Sequence, residues 1–101
     1  MQDYRQVLRL LKQKCPADKP VRVRRVKVPK DRFGDCDQYK DYYLIRICRK
    51  LKEKQAIDIL LHEYAHAISW DKSHSDDHCN EWGKAYSKVY RLYLKEFVYK
   101  T

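Results

Sequence analysis

Ala56-Ile57-Asp58-Ile59-Leu60-Leu61-His62-Glu63-Tyr64-Ala65-His66-Ala67-Ile68 is the stretch on which the reading of this chain turns. Ala56, Ile57, Leu60, Leu61, Tyr64, Ala65 and Ile68 recur at helical spacing and cover a broad arc. The periodicity predicts a helix from about residues 53–55 to 69, apolar enough to be central to the fold. His62 and His66 stand four residues apart, so on this helix their imidazoles lie one above the other on a single face. Glu63 follows about 100° further round, close enough to serve a group held by the two histidines.

Two histidines and a glutamate in the order His-Glu-x-x-His form a set with a defined chemistry. The imidazoles can bind one zinc ion, the ion acidifies a water, and the glutamate takes its proton. A catalytic zinc site ordinarily has three protein ligands and keeps one position open. The third ligand therefore has to come from downstream, where His74, His78, Cys79 and Glu81 are the candidates. The pattern with a third histidine six residues after the second fails, because Lys72 stands at that position. Spacing alone leaves His78 and Glu81 open.

The surrounding elements are short. Tyr4, Val7, Leu8 and Leu11 recur at helical spacing between basic residues and predict an amphipathic helix over residues 2–14, closed by Cys15-Pro16 and Pro20. Val21, Val23, Val26 and Val28 predict a strand whose alternation slips at Arg24-Arg25, as a β-bulge there would produce. A short strand over residues 33–37 and a turn over 38–41 follow. Tyr42-Tyr43-Leu44-Ile45-Arg46-Ile47-Cys48 reads as the clearest strand. After a polar connection over residues 70–77, Trp82, Tyr86, Val89, Tyr93 and Phe97 predict a last helix over about residues 78–99. The expected class is α+β in a single domain over residues 1–101: an N-terminal helix, a small three-stranded sheet, the motif helix and a C-terminal helix.

Composition narrows the function classes further. The chain has 101 residues and a net charge of +9 from 23 basic and 14 acidic residues, which favours an anionic partner such as nucleic acid. Arg22, Arg24, Arg25 and Lys27 are the strand residues that would contribute to such a surface, or else form a solvated sheet face. No apolar run reaches the roughly 18 residues of a membrane span. Met1-Gln2-Asp3-Tyr4-Arg5 shows no secretory leader, so a cytoplasmic protein is expected. Cys15, Cys36, Cys48 and Cys79 form no CxxC pair and read as reduced thiols.

Residues 42–90 resemble the core of the SprT-like metallopeptidases, the group that includes the DNA–protein crosslink protease Spartan. The resemblance is carried by Leu44-Ile45-Arg46-Ile47, by Ile57-Asp58-Ile59-Leu60-Leu61, by His62-Glu63-Tyr64-Ala65-His66-Ala67 and by His78-Cys79-Asn80-Glu81-Trp82-Gly83. In that family a third histidine followed four residues later by an aromatic residue completes the metal site. The resemblance therefore implies a minimal zincin fold, with His62, His66 and His78 as zinc ligands and Glu63 as the general base. It also implies that Gly34 and Cys36 belong to a rim strand along which an extended peptide substrate lies. Cys79 departs from the glycine that often follows the third histidine. The zinc-binding subdomain and partner-binding tails of the longer members have no counterpart here, so their recruitment to crosslinks is not carried over. A compact form of this kind suits a bacterial or phage protein. The expected activity is zinc-dependent peptide hydrolysis, with DNA-associated proteins as a candidate substrate class. The alternative is a basic zinc-containing module that binds nucleic acid or protein with little or no cleavage. Tyr64 and Tyr86 are candidates to stabilise an oxyanion, Asp71 to orient a ligand histidine, and Trp82 to pack beneath His78.

Overall fold

The structure is a computed structural model that describes residues 3–28, 32–70 and 80–99. It is a small α+β domain in the order α1 (Tyr4–Lys14), β1 (Val21–Val26), β2 (Gly34–Gln38), β3 (Tyr43–Cys48), α2 (Glu53–Ile68) and α3 (Asn80–Tyr93). A single π-helical turn, Leu94–Val98, continues α3. Helix α1 begins where Asp3 and Gln6 cap each other: Gln6 N donates to Asp3 Oδ1 at 3.0 Å and Asp3 N donates to Gln6 Oε1 at 2.8 Å. Helix α2 ends where Ser69 turns its hydroxyl back to the Ala65 carbonyl at 2.7 Å.

The sheet has the order β1-β3-β2, with β1 parallel and β2 antiparallel to β3. Tyr43, Ile45 and Ile47 are buried on one face against α2, joined by Val7 and Leu11 of α1 and by Val89 of α3. The register places Gly34, Cys36 and Gln38 on this inner face and Asp35 and Asp37 on the outer one. The predicted apolar arc of α2 is buried: Ala56, Ile57, Leu60, Leu61, Tyr64 and Ala65 are all core residues. Trp70, read as the start of the polar connection, instead packs its ring 5.8 Å from that of Tyr43.

The expected β-bulge at Arg24-Arg25 is absent. Pairing with β3 runs unbroken from Val21↔Tyr43 to Val26↔Cys48, so Arg25 takes an inner-face position that an apolar residue would ordinarily fill. Arg25 satisfies its guanidinium there. It donates to the carbonyls of Cys48 at 3.3 Å and Leu51 at 2.6 Å, pairs with Glu53 at 3.6 Å, and lies 5.5 Å from the centre of the Tyr4 ring. Glu53 in turn accepts from the Tyr4 backbone N–H at 2.6 Å. One arginine thus ties β1, the β3–α2 connection and the start of α1 together, and it belongs neither to a solvated sheet face nor to a nucleic-acid surface, the two readings the sequence left open for it.

Tyr64 is also structural. Its hydroxyl is fully buried and donates toward the carbonyls of Cys15 at 2.8 Å and Leu11 at 3.2 Å, where α1 ends. Burial pushes this phenol well above its usual range. Its hydroxyl is engaged at the end of α1, which removes Tyr64 as a candidate oxyanion donor. Tyr64→Phe takes the hydroxyl donor from the buried Cys15 carbonyl, while the Leu11 carbonyl keeps the Cys15 N–H at 2.7 Å, so thermal or denaturant unfolding should show a loss of about 1–3 kcal/mol.

Candidate metal centre

Helix α2 presents His62 and His66 half-buried on one face, and Glu63 beside them is buried at 8% exposure. The imidazole centres are 5.1 Å apart and steeply inclined at 69°. Two imidazoles sharing one tetrahedral ion at the ordinary Zn–N distance have ring centres about 5 Å apart, and the observed pair has that spacing.

Helix α3 supplies a wall. Trp82 and Tyr86, one turn apart, stack with their ring centres 5.1 Å apart and planes 8° from parallel. The Trp82 ring centre lies 4.9 Å from that of His62 and 5.4 Å from that of His66, and Tyr86 lies 6.1 Å from His62. The Trp82 indole N–H points to the His62 carbonyl at 3.4 Å. Rings packed this way restrict both imidazoles to few rotamers and exclude solvent from one side of the pair. Burial raises the affinity of the Tyr86 hydroxyl for its proton, with Tyr90 and Asp58 adding to the effect. Trp82 thus packs on the two described histidines themselves, a contact that periodicity could not show because it joins two helices.

Strand β2 closes a third side. Cys36 lies on its inner face, and burial, with the Glu63, Asp37 and Asp35 carboxylates behind it, pushes the thiol well above its usual range. Gly34 of the same strand stands against Ile59, one turn before Glu63 on α2, so the edge strand runs beside the helix face that carries the glutamate. The sequence singled out Cys36 only through the resemblance of its strand. Its neighbourhood to Glu63 depends on how β2 crosses α2, which no local pattern encodes. Cys15, Cys36 and Cys48 are free thiols, as expected for the described residues.

His78, the third ligand implied by the resemblance, lies outside the described residues, as do His74, Cys79 and Asp71. Glu81 is described: its carboxylate lies 3.6 Å from Lys84, and it lines a cavity with Cys15, Pro16, Ile68 and Ser69. Among the described residues no three His, Cys, Asp or Glu side chains gather at metal-ligand spacing, so Glu81 does not join His62 and His66. No helix among the described residues is long and apolar enough to cross a membrane. No family model matches the chain, and no curated protein matches its sequence.

Proposed function

We propose that the protein is a zinc-dependent metallopeptidase of the SprT-like kind, a minimal zincin in which His62, His66 and His78 hold the ion and Glu63 is the general base. The observation that carries this reading is a buried carboxylate next to a histidine pair at ligand spacing, on a helix against which an edge strand packs. A structural zinc site has no bound water to deprotonate and so needs no base, whereas hydrolysis requires one. A zinc ion bound there supplies an acidified water and polarises the substrate carbonyl. Glu63 takes the proton of the attacking water and returns it to the leaving amine. Trp82 and Tyr86 hold the His62 and His66 rings and keep solvent from their flank. Strand β2, an edge strand of the sheet, binds the substrate chain in extended form by backbone hydrogen bonds.

Arg22 and Arg24, exposed along β1, and Lys27 beyond its end give the fold a basic side remote from the β2 edge. They suit substrates that are themselves held on nucleic acid, and the proposed setting is the cytoplasm. The same cations are the basis of the alternative, a zinc-containing binding module with little or no cleavage.

Metal titration tests the ligand set. The wild-type chain should bind one zinc ion per chain, and His62→Ala, His66→Ala and His78→Ala should each lower the affinity severely, while His74→Ala and Glu81→Ala leave it intact. Loss of zinc in His74→Ala with retention in His78→Ala sinks the assignment. Salt-dependent DNA binding by a zinc-loaded chain that cleaves neither unfolded nor DNA-bound protein would favour the binding module.

A further inference from the structure

The register of the edge strand says which of its groups a substrate meets. Cys48 N donates to the Phe33 carbonyl at 2.8 Å and Tyr39 N donates to the Tyr42 carbonyl at 2.8 Å. These bonds mark 33 with 48 and 39 with 42 as hydrogen-bonded pairs. Strict alternation then turns the peptide groups of Asp35 and Asp37 toward β3, and those of Gly34, Cys36 and Gln38 toward the free edge. A chain added at this edge exchanges its closest pair of hydrogen bonds with Cys36. The side chain opposite Cys36 falls on the inner face, toward Glu63. The residues on either side of it face outward, next to Asp35 and Asp37, with Cβ atoms about 5 Å from theirs.

The two aspartates are not equivalent. Asp35 is held by Arg46 through both carboxylate oxygens, one at 2.8 Å from Arg46 Nε, and Arg32 approaches it at 3.9 Å. Asp37 is exposed and has no ion pair among the described residues; Arg46 feels its charge only at a distance. In a chain of net charge +9, the rim beside the glutamate thus carries an uncommitted negative charge.

We infer that Asp37 is a specificity residue that selects a lysine or arginine in the substrate, at the outward-facing position next to the residue paired with Cys36. The inference rests on the peptidase reading and names its substrate class: extended segments with a cation beside the cleavage region. Asp37 touches the substrate side chain and no reacting atom, so it acts on which peptide is cleaved, not on the chemical step.

The test uses the full zinc-loaded chain and quenched fluorescent peptides of one parent sequence, with the cleaved bond located by mass spectrometry. Each position flanking that bond is set in turn to Lys, Ala or Glu. Wild type should prefer Lys over Glu at one position by about three- to tenfold in kcat/KM, and salt should weaken the preference. Asp37→Asn should remove it and Asp37→Lys should reverse it. Cleavage by Asp37→Lys with the wild-type charge preference overturns the inference alone. Failure of the wild type to cleave any peptide overturns the peptidase reading and this inference with it.

Discussion

Glu63→Gln should retain zinc and lose peptide hydrolysis by about 10²–10⁴-fold, the usual contribution of a general base placed on the reacting proton. The substitution keeps the shape of the side chain and removes only its ability to accept and return a proton. Glu63 is buried at 8% exposure on a helix whose neighbours Ala65 and Tyr64 are fully buried, so the amide has little freedom to leave the site. Metal stoichiometry and melting temperature serve as controls, and both should stay close to wild type because His62 and His66 keep their contacts with Trp82. Full activity with zinc bound would mean that another group takes the proton.

The parts of this fold that depend on one element were legible in the sequence. Helices α1 and α2 and strand β3 follow from the spacing of their apolar residues, and the His62–Glu63–His66 face follows from helical geometry. What was hidden depends on two elements meeting. Arg25 broke the alternation of its strand and read as a bulge, because a charge in an inner-face position is ordinarily excluded. Three backbone carbonyls at and just after the end of β3, together with Glu53, make it acceptable there, and none of them is adjacent to it in sequence. Tyr64 read as a residue of the site because it lies within the motif. Helix geometry turns it to the opposite side, where the end of α1 receives its hydroxyl. The Trp82–Tyr86 wall was visible as an apolar stripe. Its contact with both histidines required knowing how α3 crosses α2.

The same crossing logic makes Gly34 intolerant of a side chain. A Cβ at Gly34 would stand 2.6 Å from Ile59 Cγ2 and 2.7 Å from the Arg46 carbonyl oxygen. The Ile59 methyl belongs to a side chain and can shift; the Arg46 oxygen is part of the β3 backbone and cannot move without the sheet. Gly34→Ala should therefore cost about 1–3 kcal/mol, the range for forced overpacking. For a domain of this size that lowers the melting temperature by about 5–20 °C. The strain is relieved most easily by β2, which has a neighbouring strand on one side only. Displacing β2 carries Cys36 away from Glu63, so cleavage should fall at temperatures where the variant is still folded. Gly83 supplies the contrast: among the described residues a Cβ there meets nothing within 4 Å, so Gly83→Ala in the interior of α3 should stabilise the chain by up to about 1 kcal/mol. Equal melting temperatures for wild type and Gly34→Ala would show that β2 does not sit against α2 and β3 as closely as described, and the alignment of the edge strand with Glu63 would fall with it.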